Sequence, residues 1–301
     1  MNQNDILLES GTNEVEIIVF NVGDNLFGIN VLKVREIINP IKITKVPRSH
    51  EYVEGIINLR EDIIPLINLS RVLNIPPSPT PEQDKFIVAE MNEIKIAFRV
   101  HDIKRIYRLF WTDIEKPDDL SNVEQTYAIG YSEIEGEMVI LIDFEKIIVE
   151  INPQLGSYQD ELKQLGERER SEKTILIAED SAVLRELLQD TLQEAGYERL
   201  KVFGDGADAW NYLQKLAAEK GYQSKEDVQL IITDIEMPQM DGHHLTENIK
   251  SNPHLKDIPV VIFSSLITDD LYHKGESVGA NAQVTKPQLV NLVNTIDTHI
   301  L

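Results

Sequence analysis

The sequence has no cysteine. That excludes disulfides, thiolate metal sites and a cysteine nucleophile, and it fits a cytoplasmic protein. No apolar run reaches the length a membrane span needs, and the start, Met1-Asn-Gln-Asn-Asp, lacks the positive region of a signal peptide. Basic residues are scarce, with 29 Lys and Arg against 51 Asp and Glu, for a net charge of −22. Residues 1–150 hold 15 basic and 26 acidic residues and residues 151–301 hold 14 and 25, so each half carries −11. Neither half offers a basic face to nucleic acid or to an anionic membrane, and the charge serves solubility. Walker A, G-x-S-x-G and H-E-x-x-H motifs are absent, and His243, His244, His254 and His273 lack metal-ligand spacing and read as surface or helix residues.

What the chain does have is length and two textures. At 301 residues, two domains are expected, and 42% hydrophobic with 27% charged residues is ordinary for globular proteins. Residues 14–148 read as short strands between turns, which predicts small barrels or a sandwich. Within them, Val31, Val34 and Ile38 are spaced for one face of a short helix over 31–38. Ile56 to Leu69, broken by Asn58, Arg60, Glu61 and Asp62, suits a hairpin, and Pro76 to Pro81 forms a stiff surface loop. Residues 152–172 have few apolar side chains and read as a linker, partly helical at most. From Thr174 onward strands alternate with amphipathic helices, over 182–195, 207–219, 242–251, 268–278 and 288–300. This is the mark of a five-stranded parallel sheet of the flavodoxin type.

The strand ends of this second region carry the chemistry. Thr174 to Ala178 runs into Glu179-Asp180, Val228 to Thr233 into Asp234, Pro259 to Phe263 into Ser264-Ser265, and Ala282 to Thr285 into Lys286-Pro287. Ligands of open parallel sheets bind outside the carboxyl ends of the strands. The pattern therefore gathers three carboxylates, a hydroxyl and an ammonium around one point. Hard oxygen donors that leave room for water and a phosphoryl oxygen suit Mg²⁺. A competing pattern, Gly204-Asp-Gly206-Ala-Asp-Ala209, formally matches a dinucleotide-binding turn, the alternative being a small-molecule or dinucleotide-dependent enzyme. It follows the second strand of a domain too short for two nucleotide halves, and a tight strand-to-helix turn explains both glycines. Asp241 reads as a helix N-terminal residue.

These motifs, in this order over residues 173–301, closely resemble the receiver domain of two-component response regulators. The resemblance implies that Asp234 accepts a phosphoryl group from a histidine kinase. Asp180 and Asp234 would hold Mg²⁺, with Glu179 outer-shell or water-mediated and the Glu236 carbonyl a further ligand. It implies that Ser264 and Lys286 respond to the phosphate and that Lys286-Pro287 is cis. The domain would promote only its own phosphoryl transfer and autodephosphorylation and would not be an enzyme in the usual sense. Many receivers place an aromatic three residues before the lysine, where this chain has Gln283. Output is therefore expected to run through the surface of 268–278 and 282–285.

In the first half, Val34-Arg-Glu-Ile-Ile, Val46-Pro and Gly55-Ile-Ile-Asn-Leu-Arg60-Glu-Asp-Ile-Ile-Pro65-Leu-Ile-Asn-Leu69 resemble the CheW coupling domain of bacterial chemotaxis. This implies an all-β domain of two small pseudo-symmetric barrels over 1–151. Its partners would be the histidine kinase CheA and the cytoplasmic tips of chemoreceptors, in membrane-associated arrays. Arg60 and Glu36 match partner-binding positions of that family; an ion pair within the domain explains them equally well. Glu61 stands where the family commonly has glycine, so this turn is expected to do without a freely positive φ. Val34, Ile37 and Ile38 read as core. The order of the two regions resembles the CheV family, which implies a signalling adaptor that is regulated by phosphoryl groups or drains them.

Overall fold

The computed structural model describes residues 13–91, 94–116, 127–152, 168–265 and 269–300. The expected linker lies mostly outside them, as does the start of the helix expected at 268. The chain divides into two compact units, one of residues 15–109 and 115–153, the other of residues 1–14, 110–114 and 154–301.

The first unit is built from eleven strands in two sheets, counted among the described residues. Strands β1 (Glu14–Val22), β2 (Asn25–Asn30), β3 (Val34–Ile38), β4 (Ile43–Thr44), β5 (Val53–Leu59) and β6 (Asp62–Asn68) precede the helical turn α1 (Leu69–Val72). Strands β7 (Lys85–Met91), β8 (Ile94–Val100), β9 (Asp102–Phe110), β10 (Ala128–Ile134) and β11 (Glu137–Ile142) follow, then helix α2 (Phe144–Ile151). The sheet orders are β10-β11-β2-β1-β9 and β3-β7-β8-β6-β5-β4. Each sheet contains a parallel pair, β11 with β2 in one and β6 with β8 in the other, as suits two internally related sheets. Ile57, Ile64, Leu66, Phe86, Val88 and Ala97 fill the core of the six-stranded sheet.

The helix expected over 31–38 is not formed. Only Val31–Lys33 makes a 3₁₀ turn, capped by Asn30, and Val34–Ile38 is a strand paired with β7 from Val34↔Ala89 to Ile38↔Phe86. Three β-branched residues in five favour the pleated surface, and the cross-strand partners settle the choice. Ile37 is 39% exposed and so is not core. Strand β9, whose three basic residues Lys104, Arg105 and Arg108 break the apolar run, had no counterpart in the expected strands; its burial largely alternates and it lies at a sheet edge. The β5–β6 hairpin closes at Leu59↔Asp62 as expected, but Arg60, not Glu61, takes the left-handed conformation, with φ 59°. The turn therefore uses a positive φ one residue earlier than the expectation considered.

The second unit is a parallel sheet with helices. Strands β12 (Ser171–Ala178), β13 (Tyr197–Phe203), β14 (Leu230–Thr233), β15 (Val260–Ser264) and β16 (Ala282–Thr285) stand in the order β13-β12-β14-β15-β16, all neighbours parallel. Helices α3 (Ala182–Glu194), α4 (Gly206–Lys220), α5 (Ser224–Asp227), α6 (Gly242–Ser251), α7 (Asp269–Ser277) and α8 (Leu289–Ile300) connect them or close the chain. One face of the sheet packs Ile175, Ile177, Ile232 and Phe263 against Leu188, Leu192, Leu292 and Ile296; the other packs Leu176, Ile231 and Val260 against Leu213, Leu245 and Ile249. Strands buried on both faces read as continuous aliphatic runs, which is why they were visible in the sequence. Gly196, at φ 91°, ends the turn after α3.

Candidate functional site

The order of strands puts the ends of β12, β14 and β16 close together. β12 and β14 are direct neighbours, in register from Ile175↔Leu230 to Ala178↔Thr233, so Glu179 and Asp234 leave the sheet at the same level. The amide of Asp234 donates to the Ala178 carbonyl at 2.9 Å. Carboxylate oxygens of Glu179, Asp180 and Asp234 all lie within 4.8 Å of one another. Lys286 reaches them from the end of β16, with Nζ 2.8 Å from Glu179 Oε2 and 3.1 Å from Asp234 Oδ2. The Lys286 side chain is 1% exposed, and those of Glu179 and Asp234 are 1% and 5% exposed. Three carboxylates against one ammonium leave a formal charge of −2 around a largely buried point. Taking such charges out of water is expensive unless a further cation neutralises them. The donors are all hard oxygens, so a divalent cation of the Mg²⁺ type fits this set, which Glu179, Asp180 and Asp234 could hold between them.

Neighbouring residues fix these groups. Arg185 on α3 donates from Nη1 to the carbonyls of Glu179 and Asp180, at 2.7 and 2.6 Å, and so pins the acidic strand end. The Ile235 amide donates to Asp234 Oδ1 at 2.7 Å, and Thr233 Oγ1 donates to the Asp234 carbonyl at 2.9 Å. Gly242 is obligatory, because a Cβ there would stand 1.8 Å from the Asp234 carbonyl oxygen. Asp241 caps α6 by accepting from the His244 amide at 2.7 Å. Arg185 and Thr233 carry no sequence signal, since each looks like an ordinary helix or strand residue. Gly242 was visible only as loop punctuation.

Ser264 ends β15, fully buried, and its carbonyl accepts from the Lys286 amide at 3.0 Å. The Lys286-Pro287 peptide is cis. Glu236 is buried in the loop after Asp234, and its carboxylate is not among the clustered acids. Gln283 on β16 donates from Nε2 to the Tyr272 carbonyl of α7 at 2.7 Å, and its carboxamide lies where a Cβ on Gly275 would come within 2.3 Å of it. Arg60 and Glu36 lie in the other unit and pair with each other, Nη2 to Oε2 at 3.2 Å, with side chains 78% and 31% exposed. The second glycine of the dinucleotide-like pattern has a packing explanation, while the first, Gly204, has only ordinary contacts around its missing Cβ. A Cβ on Gly206 would stand 2.3 Å from the Met240 carbonyl oxygen, so that glycine admits the loop following Asp234.

Comparison with known proteins finds two families in the chain, with residues 110–114, which pack in the α/β unit, falling inside the first match. Residues 16–152 match the CheW-like domain and residues 175–297 match the response regulator receiver domain. The chemotaxis protein CheV3 of Helicobacter pylori is 31% identical over 288 residues, covering 91% of this chain and 90% of that protein. CheV2 of the same organism is 28% identical over 297 residues, covering 93% of each. The chemotaxis protein CheW of Thermotoga maritima is 30% identical over 152 residues, covering 50% of this chain and 97% of that protein. A CheW-like domain followed by a receiver, matched almost end to end by such relatives, places this chain in the CheV family of chemotaxis proteins.

Proposed function

We propose that this chemotaxis adaptor couples chemoreceptor tips to the histidine kinase CheA through its CheW-like part, and that Asp234 in its receiver accepts a phosphoryl group. In this reading residues 1–151 form the coupling domain, 152–172 a linker and 173–301 the receiver. The protein works in the cytoplasm at receptor arrays; among the described residues no helix is long and apolar enough to cross a membrane. The observation that carries the acceptor assignment is the convergence of Asp234, Glu179, Asp180 and Lys286 at three strand ends.

The chemistry follows from those positions. A carboxylate oxygen of Asp234 attacks the phosphorus of a phosphohistidine in line. The new oxygen–phosphorus bond forms as the phosphorus–nitrogen bond breaks, and the imidazole leaves with the electron pair and takes up a proton. Lys286 faces Asp234 Oδ2 and is placed to pair with a phosphoryl oxygen as charge builds there. Bound Mg²⁺ would neutralise charge on the same oxygens, with Asp180, Asp234, Glu179 and the Glu236 carbonyl as its candidate ligands. Ser264, at the end of the neighbouring strand, is placed to hydrogen-bond the phosphoryl group once it arrives. In autodephosphorylation water attacks the phosphorus, the bond from phosphorus to the Asp234 oxygen breaks, and inorganic phosphate leaves with the carboxylate restored.

The test is transfer from phospho-CheA to the full chain. Acid-labile phosphate should appear only with Mg²⁺ and should vanish in Asp234→Asn, which keeps the shape but lacks the nucleophile. Equal labelling of that variant overturns the assignment. Nucleotide binding by the chain without transfer would favour the dinucleotide-enzyme alternative instead. Whether phosphate regulates coupling or only drains the kinase is decided by hydrogen exchange with beryllofluoride. Changes in 1–172 mean regulation, and changes confined to 173–301 mean a sink.

A further inference from the structure

The loop that follows Asp234 is gripped by residues far away in sequence but within the same compact unit, Asn13 and the turn at Trp111–Ile114. Gln239 is the centre of the grip. Its amide donates to the Trp111 carbonyl at 3.0 Å, and its side-chain Nε2 donates to the Ile114 carbonyl at 2.6 Å. Its carbonyl accepts from Asn13 Nδ2 at 3.0 Å, while Asn13 Oδ1 accepts from the Asp241 amide at 3.0 Å. The Trp111 amide donates to the Asn13 carbonyl at 2.9 Å and closes the ring of contacts. Asn13, Trp111, Ile114 and Asp241 are all buried. Gln239 sits at φ 66°, a conformation uncommon for such a residue and held here by its contacts, and Asn13 sits at φ 54°, which asparagine adopts more readily.

A short path of hydrogen bonds joins this clamp to the acceptor. Asp234 Oδ1 accepts from the Ile235 amide, the Ile235 carbonyl accepts from the Gly242 amide at 3.0 Å, and Asp241 next to it is tied to Asn13. A phosphoryl group on the Asp234 carboxylate changes the charge that the Ile235 amide meets at Oδ1, so that hydrogen bond changes with it. The loop cannot follow without disturbing the contacts at Gln239 and Asp241. Since linkage is reciprocal, a clamp that senses the loaded carboxylate also sets how readily it loads.

We infer that Asn13 and Gln239 are positioning residues for Asp234, holding its loop in the loading geometry and transmitting occupancy of the site to the Trp111 turn. The inference rests on the acceptor reading above and adds to it two residues that are not among the clustered groups of the site.

The full chain with Trp210→Phe leaves Trp111 as the one tryptophan of the two in the sequence and makes its emission a reporter. Mg²⁺ with beryllofluoride serves as the probe of the loaded state. The parent should bind the probe and its Trp111 emission should shift. Asn13→Gly and Gln239→Gly tolerate positive φ and remove only the side-chain contacts. Each should weaken beryllofluoride binding about tenfold, within the usual range of coupling between sites, and should diminish the emission shift. In metal-free protein, amide exchange at Gln239 and Asp241 should quicken in both. Asn13→Asp keeps the acceptor for Asp241 and loses the donor to Gln239, so it should fall between. Quickened exchange with unchanged probe affinity, or a parent emission that ignores the probe, overturns the inference alone. A parent that binds no beryllofluoride overturns the acceptor reading together with it.

Discussion

Charged residues are used in opposite ways in the two units. In the parallel α/β unit Lys286 is buried between Glu179 and Asp234 and touches both. In the β-sheet unit the candidate partner-binding pair, Arg60 and Glu36, stands out in solvent on a hairpin turn and a strand. A buried cluster of this kind carries a large desolvation cost, so its presence points to chemistry that needs it. An exposed pair is held weakly and can exchange one partner for another at little cost. The glycines show the same contrast. Gly242 admits the backbone of Asp234 and has no room for a methyl group, whereas Gly136 in the other unit has nothing within 4 Å of its missing Cβ.

The largest expected break in this comparison is Lys286→Met. It keeps the bulk but leaves Glu179 and Asp234 facing each other without the ammonium, at a cost of about 4 kcal/mol in Mg²⁺-free buffer. Added Mg²⁺ should recover much of that, because the cation replaces the missing charge. Denaturant midpoints with and without Mg²⁺ measure both. A variant as stable as the parent in EDTA would show that the ammonium does not hold the acids.

Next comes Gly242→Ala, expected to destabilise the protein by about 3 kcal/mol, because the added carbon would overlap the Asp234 carbonyl and the backbone must move. Gly136→Ala, at φ 84° with open space, should lose only about 1 kcal/mol for the left-handed conformation. Equal losses at the two positions would remove the distinction between a glycine needed for close approach and one needed for a turn.

A smaller effect depends on pH. His243 is buried at the start of α6, and burial lowers its pKa to about 4, against the pull of Asp241 toward a higher value. Between its unfolded value near 6.5 and about 4 the unfolded chain binds a proton that the folded chain refuses. Stability therefore falls as pH drops through that window, by about 2 kcal/mol at pH 5, and is unaffected above it. His243→Leu should flatten the slope between pH 6.5 and 4. An unchanged slope would assign the acid sensitivity to other groups.

Legibility in the sequence also differed between the units, for a physical reason. The inner parallel strands β14 and β15, and the second half of β12, are buried on both faces, so they stand out as aliphatic runs, and strand tips are where ligands bind; Glu179, Asp180, Asp234 and Lys286 could be gathered from their places at strand ends. The β-sheet unit offered weaker signals. Over Val31–Ile38, spacing alone suited one face of a helix, and only the pairing with Phe86 to Ala89 decides for a strand. Strand β9 was missed because its alternating face is charged, as suits a sheet edge. Arg185, Gln239 and Asn13 were not legible at all. Their roles come from contacts with main-chain atoms distant in sequence, and no spacing encodes such contacts.

The smallest expected change in stability, and the sharpest test of the contrast, is Arg60→Glu. Arg60 adopts φ 59° at the tip of the β5–β6 hairpin and its guanidinium contributes one exposed contact, to Glu36. Removing an exposed pair of this kind should lower stability by less than about 1 kcal/mol. If the pair is only an intradomain contact, Arg60→Glu with Glu36→Arg should restore whatever the single change loses. If instead Arg60 meets an acidic group on CheA or on a receptor tip, the single variant should stay folded and lose affinity for that partner. The swapped variant should then fail to regain it, because the partner's own charge has not been reversed. Binding of the full-length variants to each partner, beside their denaturant midpoints, separates the two cases. Unchanged binding to both partners, with stability recovered in the swap, would leave Arg60 and Glu36 as a surface ion pair and move the docking site elsewhere on the CheW-like domain.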